Sequence, residues 1–64
     1  MINKNDIVEY RGRTYIVDDV EDCGLALYNY YLDGFGWNRD ECFGAVEVDA
    51  KNIKDVSVIE PSGA

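Results

Sequence analysis

The groups in this chain that could do chemistry are its carboxylates, two thiols and a crowd of aromatic rings; histidine is absent. Without an imidazole the commonest general base is missing. Cys23 follows Glu21-Asp22 and Cys42 follows Asp40-Glu41. A neighbouring carboxylate favours the protonated thiol, so both cysteines should be poor nucleophiles. Two cysteines with no Cys-x-x-Cys pair do not close a tetrahedral zinc site. Asp18, Asp19, Glu21 and Asp22 concentrate oxygen ligands, but they lack the alternate spacing and sixth-position glycine of an EF-hand loop. They read as a solvated acidic loop. The expectation is therefore a protein that is not an enzyme, with no metal and no cofactor. A Cys23–Cys42 disulfide stays open on spacing, although free thiols are the expectation in a cytosolic chain.

Thirteen acidic residues face six basic ones, a net charge of −7 on 64 residues. Such a surface is repelled by nucleic-acid phosphates and anionic membranes. It suits a basic protein partner, or one that normally handles nucleic acid, with carboxylates standing in for phosphates. Acidity also keeps a small protein soluble, and the sequence leaves open which role dominates. Among the basic residues, Arg11 and Arg13 flank one turn, and Lys51 and Lys54 lie near another. These four would carry the alternative function, a nucleic-acid- or ribosome-associated domain. They make two small patches rather than the basic stripe of a binder.

The aromatic residues are more specific. Tyr28, Tyr30, Tyr31, Phe35, Trp37 and Phe43 crowd into sixteen positions. A small core holds a few of them; Phe35 and Trp37, in a stretch that reads as a glycine-containing loop, should reach the surface. Tyr and Trp offer large contact area at low entropic cost. With Asp33, Asp40 and Glu41 around them, Tyr31, Phe35 and Trp37 form the candidate partner-binding surface, suited to a Lys- or Arg-bearing ligand. The competing assignment puts Tyr28, Tyr30 and Phe43 in the core, with Trp37 as a lid.

The elements that position these groups read as strands. The length allows one domain, 1–60, with a tail over 61–64. The hydrophobic fraction of 47% is that of a folded chain. No apolar run approaches a membrane helix or the core of a signal peptide, so the expected location is the cytoplasm. Asp6–Val20 predicts a hairpin with a two-residue Arg11-Gly12 turn that pairs Tyr10 with Arg13 and Val8 with Tyr15. That register puts Val8, Tyr10, Tyr15 and Val17 on a core-facing side, and Ile7, Glu9, Thr14 and Ile16 on the other. Asp18–Gly24 reads as a loop, and Leu25–Leu32 as a long strand. Asp33-Gly34 reads as a turn, and Phe35–Glu41 as a loop. A fourth strand with Val46 and Val48 inward follows. Next comes a single 3-10 turn at Ala50–Ile53, capped by Asp49, and then a last strand stopped by Pro61.

Five short antiparallel strands with one helical turn before the last resemble the SH3-like small barrels, the group that includes SH3, Tudor and KOW domains. The resemblance spans Asp6 to Glu60. Val48–Glu60 resembles the SH3 ending, with Asn52 at its asparagine, although no proline precedes it and Ile53 stands at the groove tyrosine. Ala26-Leu27-Tyr28-Asn29-Tyr30 resembles the Ala-Leu-Tyr-Asp-Tyr signature of peptide-binding SH3 domains. That signature lies near the start of its domain, whereas a full hairpin precedes it here, so the segment reads as a third strand. Asn5–Val20 resembles the opening hairpin of small bacterial and phage proteins. The implied fold is an all-β, single five-stranded SH3-like barrel. The implied function is an interaction module, of the kind a phage accessory or inhibitor protein would use on a basic partner. It would act as a monomer or as a homodimer paired through an edge strand. The competing fold is an open antiparallel sheet.

Overall fold

The opening hairpin forms in the register its sequence predicts. β1 (Ile7–Tyr10) pairs with β2 (Arg13–Glu21), with Val8 opposite Tyr15 and Tyr10 opposite Arg13. Both turn residues take positive φ, Arg11 at 52° and Gly12 at 77°. This is the left-handed pair that matches the twist of a two-residue hairpin. In this computed structural model, which describes residues 1–40 and 44–62, the chain continues as β3 (Gly24–Asp33), β4 (Gly36–Asp40) and β5 (Val46–Asp49). A 3-10 helix (Ala50–Asp55) and β6 (Ser57–Glu60) follow.

The strands form one antiparallel sheet in the order β4-β3-β2-β1-β6, with β5 also on β3. β2 occupies one edge of β3. The other edge is divided: Gly24–Leu27 pair with β5, and Asn29–Asp33 pair with β4. Five strands are expected and six are found among the described residues. The additional one is β4, in the segment read as a loop. Asp33 and Gly36 pair across a two-residue Gly34-Phe35 turn, so the flanking residues have a ladder to join. The acidic Asp18–Gly24 segment likewise contains strand rather than loop alone. β2 runs to Glu21 and only Asp22-Cys23 turn, because Asp19, Val20 and Glu21 pair through their main chains while their side chains stay in water. The ladder slips between Val17 and Asp19, a β-bulge. Among the described residues no ladder joins β6 to β4 or β5, so the pairing is that of an open sheet.

The core lies on one face. Val8, Tyr10, Tyr15 and Val17, the predicted hairpin face, bury against Leu25 and Leu27 of β3, Val48 of β5, and Val56. Ile2, Val46 and Ile53 pack at its margin. The 3-10 helix is two residues longer than predicted, and Asp49 makes no side-chain cap there. The Val56 N–H instead closes its end on the Ile53 carbonyl, 2.9 Å away. Tyr28 and Tyr30, candidates for the core, are only half-buried and face the other way.

A buried carboxylate ties the two ends of the fold together. Asp6 is 1% exposed. Its Oδ2 accepts the Asn3 N–H at 2.8 Å, and its Oδ1 accepts the Ser62 N–H at 2.6 Å, 56 positions away. Its own main chain joins the sheet, since the Val17 N–H donates to the Asp6 carbonyl at 2.9 Å. The Ser62 and Asn3 main-chain donors hold the carboxyl below its ordinary pKa, against the opposing pull of burial. A lowered folded-state pKa stabilises the protein above the unfolded value, near 4, and that stabilisation fades as pH falls through the folded value.

Asp6→Asn keeps the shape but turns an NH2 toward one of the two N–H donors. It should lower stability at neutral pH by about 1–3 kcal/mol. In denaturant titrations from pH 7 to 2, the gap to wild type should narrow below about pH 4. A second substitution tests the β3–β5 approach. A Cβ on Gly24, whose φ is 154°, would collide with the Val48 carbonyl oxygen. Gly24→Ala should therefore cost more than about 3 kcal/mol, the range of severe backbone substitutions, in the same titration.

Candidate protein-interaction surface

The β3–β4 hairpin carries the aromatic cluster beyond the core. Its tip is set by Asp33, whose Oδ1 accepts the Phe35 N–H at 2.7 Å and whose Oδ2 accepts the Asn38 Nδ2 at 2.6 Å. This is the self-capping that aspartate provides at turns. Alternation then divides the side chains. Tyr28, Tyr30 and Leu32 of β3 share one face with Trp37 and Arg39 of β4, while Asn29, Tyr31, Asn38 and Asp40 share the other. On the first face the Tyr30 and Trp37 rings stack, centroids 5.2 Å apart and 11° from parallel. Arg39 lies 4.8 Å over the Tyr28 ring and donates through Nη2 to Asp18 on the bulge of β2. This joins the base of the hairpin to the rest of the sheet.

Of the residues predicted to bind a partner, Tyr31, Trp37 and Asp40 line one depression. Trp37 and Tyr31 alternate in the ladder yet both border that depression, 54% and 46% exposed, and Phe35 is fully exposed at the tip. Both oxygens of Asp33 are engaged in the turn. Asp40 is half-buried opposite Asn29. Glu41, with Cys42 and Phe43, lies outside the described residues. Leu32, 64% exposed, joins Phe35 and Trp37 as an apolar group in water.

The outer face of the sheet adds residues that the sequence did not single out. Three depressions lie in a row around Tyr30. The first, about 360 Å³, runs past Ile7 and Ile16 to Glu60, Pro61 and Ser62. The middle one, about 220 Å³, is walled by Trp37 and Ile59, with Ile7, Thr14 and Glu60 around it. The third, about 470 Å³, reaches Arg13 and Asp40. Ile7, Thr14 and Ile16 are the non-core face of the first hairpin, which its register already implied. The stacking of Trp37 on Tyr30, which turns that face into a trough, depends on β4.

The alternative basic set divides as well. Arg11 lies 5.1 Å over the Tyr10 ring, and Arg13 borders the trough. Lys51 and Lys54 are exposed on the 3-10 helix. Cys23 is a free, exposed thiol. The Glu21 carboxylate accepts its S–H at 3.4 Å and, with its charge, raises the thiol pKa. Among the described residues no three acidic or thiol groups converge on a point where a metal would sit. No helix among them is long and apolar enough to cross a membrane.

If the tip is built for contact rather than folding, Phe35→Ala should leave stability within about 0.5 kcal/mol of wild type. Tyr30→Ala, which removes the stacking partner and the centre of the trough, should cost about 1 kcal/mol or more; thermal unfolding followed by circular dichroism measures both. Compared with protein-family models, curated proteins and solved structures, the chain matches none.

Proposed function

We propose that this protein is a non-enzymatic interaction module that binds a basic protein partner through the β3–β4 hairpin and the adjoining outer face. One observation carries the reading: Leu32, Phe35 and Trp37 are 64%, 101% and 54% exposed on one short hairpin. A chain of this size has little apolar area to spare for its core. Large apolar groups left together in water are a signature of interaction surfaces. The net charge of −7 selects for a cationic partner and speeds its approach. Proteins that normally hold nucleic acid fit this description, and an acidic accessory protein that occupies their binding surface would act as an inhibitor. On this reading β4 and β5 together are one interrupted strand of an SH3-like barrel, with β6 as its last strand. The nucleic-acid alternative has less to rest on, since Arg11 packs on Tyr10 and phosphate must approach a strongly acidic molecule.

Affinity capture from an extract of the native host, with wild type beside the folded Phe35→Ala/Trp37→Ala variant, tests the reading. Wild type should retain a basic protein that elutes with rising salt, and the variant should lose it at least tenfold. Capture unchanged in the variant, or salt-sensitive binding of generic DNA or RNA in place of a protein, would overturn it.

A further inference from the structure

The outer-face trough has a shape and charge that narrow what it accepts. Trp37 and Ile59 stand on β4 and β6, the two ends of the pairing order, four interstrand steps apart. On a flat sheet that separation is roughly 19 Å. Both nevertheless wall one pocket of about 220 Å³, so the curl of the sheet and the reach of the indole bring the two edges toward each other above Thr14. The pocket is smaller than the roughly 300–1,000 Å³ of small-molecule and cofactor sites. It is sized for one long side chain. The flanking depressions share Tyr30 with it and extend it in both directions, which suits an extended chain better than a compact ligand.

The charge at the middle pocket and the first depression is negative, while the third depression carries one cation, Arg13, beside Asp40. Glu60 borders both the middle pocket and the first depression. Glu9 projects from the same face as Ile7, opposite Thr14 in the ladder. Both are exposed, and neither makes an ion pair with a described residue. The Arg39 guanidinium on this face is already joined to Asp18. A Lys or Arg side chain lays an apolar stem along hydrophobic surface and holds its charge at the edge. An indole face adds attraction for the cation.

We propose that the trough seats an extended basic segment of a partner protein, with one Lys or Arg stem between Trp37 and Ile59 and its charged head at Glu60 and Glu9. This rests on the interaction-module reading and locates the partner's key side chain on the outer face rather than at the hairpin tip.

The probe is a phage-displayed library of random linear decapeptides selected on the folded protein, with enriched peptides then titrated against the emission of Trp37, the single tryptophan. Enriched peptides should carry Lys or Arg beside an apolar residue, and binding should shift the Trp37 emission. Glu9→Gln/Glu60→Gln should weaken them tenfold or more, and Thr14→Phe, which fills the floor, should abolish them. Asp22→Asn, at an exposed acid on the β2–β3 turn that borders none of the three depressions, should leave peptide affinity within twofold. Failure to enrich any peptide, enrichment of acidic ones, or affinities indifferent to Glu9, Glu60 and Thr14 would overturn the assignment. A host protein captured in a manner that depends on Phe35 but not on Glu9, Glu60 or Thr14 would overturn the trough while leaving the module reading in place.

Discussion

The fold depends on the main-chain pairing of β3 along both its edges. Its first half lies between β2 and β5 and sends Leu25 and Leu27 into the core, 1% and 0% exposed. Its second half outruns that core and has β4 as its partner on the edge that β5 has left. Satisfying the backbone of a ten-residue strand therefore generates the hairpin on which the aromatic groups stand. Gly24 permits the arrangement, because only a residue without a Cβ lets β5 pass so close to the start of β3. Asp6 holds the other end, joining the first and last segments of the described chain through one carboxylate.

From this division follow two surfaces with different energetics. The inner face is a small apolar cluster that sustains the fold. The outer face and hairpin carry Trp37, Leu32, Phe35 and Ile59 largely in water, and their attachment rests on the Tyr30–Trp37 stack, the Arg39–Asp18 pair and local turn bonds. Surface ion pairs contribute little, about 0–1 kcal/mol. The hairpin is thus held by the β3–β4 ladder, the ring stack and local turn bonds rather than by the core cluster. On the proposed function, negative charge with few cations to offset it would favour a cationic partner there.

Much of the fold was legible in the sequence because period-two alternation and a glycine turn leave a clear mark. The register of the first hairpin, its core face, the inward Val46 and Val48, and the helical turn before the last strand could all be read from residue types. β4 was not legible, since Gly36, Asn38 and Asp40 have low strand propensity and pair only because β3 offers an edge. The acidic end of β2 was hidden for the same reason: Asp19 and Glu21 reach solvent while their backbones pair. Of the candidate site, Trp37 and Phe35 could be named as exposed from their neighbourhood. The meeting of Trp37 with Tyr31 and Asp40 at one depression, and with Ile7, Thr14 and Ile59 at the next, required the β3–β4 register and the curl of the sheet. Asp6 went unmarked because a lone aspartate before a strand looks like any solvated acid.

On the proposed reading, a core-anchored half of β3 supports a projecting half free to meet a partner. Native-state amide hydrogen exchange, read residue by residue, tests it most directly. Leu25, Ala26 and Leu27 should exchange only through global unfolding, with denaturant dependence matching that of the whole molecule. The amides of Leu32, Asp33 and Trp37 should exchange through local opening, at least a hundredfold faster and nearly independent of denaturant. Equal protection and equal denaturant dependence along all of β3 would contradict the account, because the hairpin would then be part of the folding core rather than a surface presented by it.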